Sequence, residues 1–200
     1  LFDGKGDLLK WQASLRGLPQ RVALPALRQA LPDAPLEALI ELPRRSLEEL
    51  PAMLRPNDIE GTLALRVQAE GTLREPRVSV TGALGSFTPA SERRRKNHLD
   101  VNLDAEYAPE GGRVALTALR RHIDPVLELD SHWQGDLRQL GGASPEQSPI
   151  QADTELRLSD FPMAMVPLLQ QQRVRGRLTG SARLLGLGKD ARMDVDMHTR

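Results

Sequence analysis

Apolar residues recur at every second position along most of this chain, and that periodicity constrains the fold more than any other feature. In 97–107, Leu99, Val101, Leu103, Ala105 and Tyr107 are apolar, while His98, Asp100, Asn102, Asp104 and Glu106 stand between them. Side chains alternate across a β-strand, so this spacing predicts a strand with one apolar and one wet face. Antiparallel sheets accommodate such strands. Ala108-Pro-Glu-Gly-Gly112 supplies turn chemistry, and Val114, Leu116 and Ala118 continue the pattern beyond it, which predicts a hairpin.

The same alternation marks 59–69 (Ile59, Leu63, Leu65, Val67, Ala69), 76–84 (Val78, Val80, Leu84), 123–133 (Ile123, Leu127, Leu129, Trp133) and 150–158 (Ile150, Ala152, Leu156, Leu158). It returns in 174–184 (Val174, Leu178, Ala182, Leu184) and 191–197 (Met193, Val195, Met197). A less regular version opens the chain with Leu9, Trp11, Ala13 and Leu15. With 16 Gly and 15 Pro among 200 residues, long helices have little room. Short helices are expected at 47–55, with Ser46 as N-cap, and at 162–171, with Asp160 near the start. The proline-studded stretch 19–45 reads as short helical turns broken at each proline, and 85–97 and 141–149 read as loops.

The chain repeats itself. Residues 47–80 align with 162–195 at a constant offset of 115, without a gap. Leu54 meets Leu169, Gly61 meets Gly176, Leu63 meets Leu178, Gly71 meets Gly186, Arg77 meets Arg192 and Val80 meets Val195. Each copy reads as a short helix, a strand opening with aliphatic-x-Gly-x-Leu, a glycine at the next turn, and a second strand. A period this long suits a multi-strand module.

Charge and composition remove whole classes of function. Lys plus Arg is 27 and Asp plus Glu is 27, so no net field steers the chain toward nucleic acid. Six aromatic residues make a poor stacking platform. Cysteine is absent, which excludes disulfides, thiolate metal sites and cysteine nucleophiles. His98, His122, His132 and His198 lack metal-ligand spacing. Gly186-Leu-Gly-Lys189 lacks the rest of a phosphate loop, with Asp190 where Ser or Thr is needed. The pairs Asp194/Asp196 and Asp100/Asp104 match a solvent-facing alternation, and no nucleophile elbow is present. The reading is therefore no enzyme, no cofactor and no metal. Arg93-Arg-Arg-Lys96 reads as a solvated loop or as a contact to anionic lipid headgroups. No run of 18 apolar residues exists, and the chain opens at Leu1 without a leader, so it is expected to be a segment whose anchor lies outside it.

Ile59-Glu-Gly-Thr-Leu followed by Ala69-Glu-Gly-Thr-Leu-Arg-Glu-Pro-Arg-Val-Ser-Val-Thr-Gly82 resembles the repeating signature of the TamB family. Those proteins are inner-membrane-anchored subunits of the bacterial translocation and assembly module. Leu158-Ser-Asp-Phe-Pro-Met-Ala-Met-Val-Pro-Leu-Leu169, running into Val174-Arg-Gly-Arg-Leu-Thr-Gly180, resembles the helix-then-glycine-strand step of the same AsmA-like group. Ala191 and Gly188 depart from the pattern, where the first copy has Pro76 and Leu73. The resemblance covers roughly 45–200. It implies an all-β, mainly antiparallel, elongated open groove of meander strands with a few short helices. It also implies a periplasmic location, transport of phospholipid acyl chains between the two membranes, and an outer-membrane β-barrel assembly partner like TamA.

The expected organisation is a Pro-rich lead-in of β-structure and short helices over 1–45, a first β-repeat module over 46–160 and the start of a second over 161–200. Leu63, Leu65, Val67, Val78, Val80, Leu99, Val101, Leu103, Val114, Leu116, Leu178, Met193 and Val195 are expected to share one apolar face. The alternation alone leaves open what covers that face. Acyl chains would cover it in a groove, and a second sheet would cover it in a structural or protein-binding β-sandwich or β-solenoid.

Overall fold

The computed structural model describes residues 2–3, 6–7, 9–15, 31–51, 59–89, 98–135, 150–165, 176–186 and 191–200. A small hairpin of β1 (Phe2–Asp3) and β2 (Gly6–Asp7) precedes a single ten-stranded sheet. The sheet contains β3 (Lys10–Leu15), β4 (Pro35–Ser46), β5 (Ile59–Thr72), β6 (Pro76–Pro89), β7 (Leu99–Ala108), β8 (Gly111–Arg120), β9 (Asp124–Gln134), β10 (Gln151–Pro162), β11 (Arg177–Leu185) and β12 (Arg192–Thr199). Each strand pairs antiparallel with its neighbours in sequence, and the order runs from β12 to β3 without closing. The fold is therefore an all-β antiparallel meander forming an open groove. Among the described residues no helix is long and apolar enough to cross a membrane.

One layer leaves much surface in water. The chain exposes 13789 Å², where a compact monomer of this mass exposes about 9,300 Å². Full burial is confined to a few residues; most gather where two 3₁₀ turns fold onto one end of the sheet, while Ala34 and Ile150 are buried at the other end. The turn Leu47–Glu49 brings Leu47 and Leu50 against Leu42, Ile59, Leu63 and Leu84. The turn Met163–Met165 brings Met165 against Leu99, Ala118 and Val126, with Phe87, Val101, Leu127 and Phe161 around them.

A line of bulges crosses the sheet at the same level. Register shifts fall between Leu42 and Arg45 on β4, Leu84 and Phe87 on β6, and Leu158 and Phe161 on β10. A further shift, opposite Ala118 and Leu119, places Val126 out of the ladder and 1% exposed. Each bulge bends its strand and raises the local twist, so aligned bulges curl the sheet as a unit. Ser86 and Asp160 adopt φ of 52° and 53° within two of them. The Ser86 N–H donates to Asp100 Oδ1 at 2.9 Å, and the Asp160 N–H donates to Thr179 Oγ1 at 3.0 Å.

The sequence repeat is a structural repeat. Leu63 pairs with Leu84 across β5–β6, and Leu178, at an offset of 115, pairs with Thr199 across β11–β12 in the same register. Leu50 and Met165 occupy equivalent buried positions, 5% and 3% exposed. Gly61 and Gly176 hold φ of 147° and 128°. A Cβ on Gly61 would meet the Gly85 carbonyl oxygen at 2.9 Å, and one on Gly176 would meet that of Arg200 at 2.8 Å. Only glycine admits both the backbone angle and the approach. The expected module boundaries at 45 and 160 fall inside β4 and β10, so both copies belong to one sheet.

Several expectations need correction. Pro35–Ser46, read as broken helical turns, is a twelve-residue strand. Its prolines sit where no ladder N–H is required: Pro35 opens the strand and Pro43 lies in the bulge. The expected helix over 47–55 is a three-residue 3₁₀ turn as far as 51, and Ser46 Oγ accepts the Glu48 N–H at 3.3 Å as a cap. The helix expected over 162–171 is Met163–Met165, and Asp160 lies in a strand bulge. The remainder of both segments lies outside the described residues, as do 16–30, Val174 and 141–149. Gly85–Pro89, placed in a loop, continues β6. Ile123 belongs to the β8–β9 turn and is 79% exposed, because the bulged Val126 takes the buried position instead. We expect Gly61→Ala and Gly176→Ala each to destabilise the fold by roughly 1–3 kcal/mol, read as a lower urea midpoint with an unchanged slope.

Candidate functional site

Directly paired residues of an antiparallel ladder point to the same side of the sheet, so the registers define which side chains share a face. One row runs Leu63, Leu84, Val101, Ala118, Leu127, Leu158, Gly180 and Met197, and ends on Arg45 of β4. The next runs Leu42, Leu65, Gly82, Leu103, Leu116, Leu129, Leu156, Ala182 and Val195. A third runs Trp11, Ile40, Val67, Val80, Ala105, Val114, Ser131, Thr154, Leu184 and Met193. A fourth runs Ala13, Ala38, Ala69, Val78, Tyr107, Gly112, Trp133 and Ala152.

Every residue of the expected apolar set lies on this face. Leu99 joins it opposite Phe87, and Leu178 joins it opposite Phe161. Nine strand spacings of roughly 4.8 Å make each full row about 43 Å long. Most of these side chains are half-buried, held only by their own neighbours in the sheet. Among the described residues no second sheet lies over them. Within the expected set the exceptions are Leu99, buried at 3%, and Met193 and Val195, which are 69% and 54% exposed at the β12 edge. Sequence reasoning missed Leu36, Ala38, Ile40 and Leu42 of β4. Their period-two spacing was present, but Pro35 and Pro43 concealed it.

The opposite face is polar and carries its charges as pairs. Arg113 reaches Asp104 at 2.9 Å, Arg157 reaches Glu155 at 2.8 Å and Arg183 reaches Asp153 at 2.7 Å. Each is half-exposed, which limits such pairs to about 0–1 kcal/mol. At the bulged end of the strands Asp160 sits between Arg120, at 2.9 Å and paired across β7–β8 with Leu99 of the apolar face, and Arg177. The Arg120 hydrogen bond holds its carboxyl below the ordinary value, with Arg177 adding to this against desolvation. The Arg183 hydrogen bond lowers Asp153 in the same way. His122 Nδ1 faces Asp100 Oδ2, and its ring lies 5.4 Å from that of His98. Folding thus brings two histidines together that the sequence separates, although no group of three metal-ligating side chains occurs among the described residues. Arg93, Arg94, Arg95 and Lys96 lie outside the described residues.

No family model, no curated protein and no solved structure matches this chain.

The depressed carboxylates set the sign of one pH dependence. A carboxyl lowered on folding contributes stability above its unfolded pKa, and that stability is lost as pH falls through the folded value. We therefore expect the melting temperature to fall below about pH 4. In Asp160→Asn, which keeps the side-chain shape that tolerates positive φ, it should be lower at neutral pH and converge on the parent in acid. Thermal melts across this range check both statements.

Proposed function

We propose that this chain is a segment of a TamB-like envelope protein whose apolar groove shields acyl chains. In this reading it serves phospholipid transport between inner and outer membranes and supports outer-membrane assembly. The protein is placed in the periplasm, attached to the inner membrane by an anchor outside this segment. A barrel-assembly protein of the outer membrane is its partner. The role involves no catalysis and no cofactor. The observation that carries the reading is the set of cross-strand rows of Leu, Val, Ala and Met on one face of an unclosed sheet.

The physical argument is direct. Each methylene removed from water contributes about 0.8 kcal/mol, so rows of aliphatic side chains hold an acyl chain without any specific polar contact. Aromatic residues on the face are Trp11 at one edge, Tyr107 and Trp133 beside Gly112, and Phe87 and Phe161 at the bulge level. Apart from the hydrogen-bonded Ser131–Thr154 pair, the middle rows between the edges are aliphatic, which suits a flexible chain that slides. The charged opposite face keeps the sheet soluble in an aqueous compartment.

Lipid extraction of the chain purified without detergent, followed by mass spectrometry, tests the reading. Bound phospholipid is expected, and its absence favours a structural or protein-binding β-domain. Substitution separates the open rows from the buried end. Leu116→Asp lies mid-row on a half-buried position, where the new carboxylate reaches water. It should cost about 1–3 kcal/mol, leave the chain folded and reduce lipid photocrosslinking from Leu103 and Leu129. Ala118→Asp, at a position 2% exposed beneath Met165, should unfold the chain. Undiminished crosslinking in a folded Leu116→Asp variant would argue against acyl chains on this face.

A further inference from the structure

Folding gathers His98, Asp100 and His122 at the bulged end of the sheet, and the acyl-chain reading makes no use of them. Asp100 joins two bends there. Its Oδ1 accepts the Ser86 N–H at 2.9 Å inside the β6 bulge, and its Oδ2 faces His122 Nδ1. The Asp100 side chain is 16% exposed, and Oδ2 itself is shut off from water. His122 occupies the β8–β9 turn, where Arg121 and His122 hold φ of 54° and 66° and the Ile123 N–H donates to the Arg120 carbonyl at 3.2 Å. Two consecutive positive φ angles belong to a turn that favours Asn and Gly. Arg and His stay in it only where their surroundings fix them, and the contact to Asp100 does so for His122.

That contact also decides the chemistry of the ring. A buried carboxylate oxygen needs a donor, so His122 Nδ1 carries the hydrogen. In the neutral imidazole Nε2 then holds the free lone pair. A carboxylate behind one ring nitrogen, with the other left ready, is the usual setting of a histidine that ligates a metal. His122 is 64% exposed, so an ion in water can reach it. A second imidazole stands beside it, since the ring of His98 lies 5.4 Å from that of His122, inclined at 44°. Two imidazoles on one tetrahedral ion, at a metal–nitrogen distance of about 2.0 Å, hold their centroids roughly 5 Å apart. Among the described residues this is the sole ring contact, hydrogen bond or ion pair of His98. A cavity of about 580 Å³ next to Asp100 and His122, lined also by Thr62, Ser86 and Asn102, has room for the waters that complete a coordination shell. Arg44 lines it too, and its charge opposes a cation, so the hold on the ion is modest.

We propose that His98 and His122 bind one divalent transition-metal ion of the zinc, nickel or copper class, with Asp100 orienting His122 from behind and water filling the remaining positions. Imidazole favours these ions, whereas Ca²⁺ and Mg²⁺ take oxygen ligands. The bound ion ties the start of β7 to the β8–β9 turn at the level where the sheet bends. It needs no lipid, so it stands apart from the acyl-chain reading above.

Histidine-resolved NMR of the whole chain, stripped of metal and titrated with Ni²⁺, tests the proposal together with calorimetric titration by Zn²⁺. The chain has four histidines. His132 and His198 each have a carboxylate neighbour, Asp130 at 2.8 Å and Asp196 at 3.1 Å, but among the described residues neither has a second imidazole, so they serve as controls. Paramagnetic Ni²⁺ should broaden His98 and His122 before His132 and His198, and Zn²⁺ should saturate at one ion per chain. Mg²⁺ should do neither. His98→Gln and His122→Gln should each weaken Zn²⁺ binding about tenfold or more while leaving circular dichroism unchanged, and Asp100→Asn should weaken it about ten- to hundredfold. Absence of saturable Zn²⁺ binding overturns the proposal. So does equal broadening of all four histidines, and so does unchanged Zn²⁺ affinity in a folded His98→Gln variant, which leaves the two rings as a packing contact alone.

Discussion

A ten-stranded sheet with no second sheet over its apolar face among the described residues is the constraint to which the rest of this structure answers. In a two-layer domain, face-to-face packing removes apolar surface from water and fixes the register. Here the interstrand hydrogen bonds and the half-burial of each side chain by its ladder neighbours do that work. The consequence is a long registered strip of Leu, Val and Ala that is neither core nor ordinary surface. A one-residue slip of any strand would turn its apolar set to the wet side and its charges inward, and this penalty keeps the rows aligned across the full width.

The two ends of the strands are treated differently. At the bulge level the sheet bends and two 3₁₀ turns deliver Leu47, Leu50 and Met165 onto the apolar face, producing the only tightly buried clusters among the described residues. Away from that level the described row residues are mostly half-buried, and no second sheet stands over them among the described residues. Bending, burial and the unusual backbone angles at Ser86 and Asp160 coincide in one band. The bulges are thus parts of the architecture, anchored by Asp100 below Ser86 and by Thr179 below Asp160. Their effect is to close one end of the face while leaving its middle accessible, which is the arrangement that the proposed acyl-chain role needs.

The internal repeat shows how such a sheet lengthens. Two copies offset by 115 residues use the same hairpin register, the same positive-φ glycine receiving a neighbouring carbonyl, and the same buried residue after the strand end. Because each strand contacts only its neighbours, a module can be appended at an edge without redesigning the interior. That is the logic of quasi-one-dimensional proteins.

The sequence by itself determined the strands, their facing and the apolar set, since period-two alternation is a local property that needs no partner to be read. It also disclosed the repeat and its glycines. It failed where local rules conflict with position. The prolines of β4 argue against a strand until Pro35 is seen to open it and Pro43 to occupy a bulge, where the missing N–H costs nothing. The alternation assigned Ile123 inward, but only the bulge at Val126 decides which residue enters the buried cluster. Whether the apolar face meets a second sheet or remains open was likewise undecidable from periodicity, because a strand's pattern is identical whatever lies over it. For the described residues tertiary structure decided that point: every strand of the sheet lies beside its predecessor, and no second sheet stands over the apolar face.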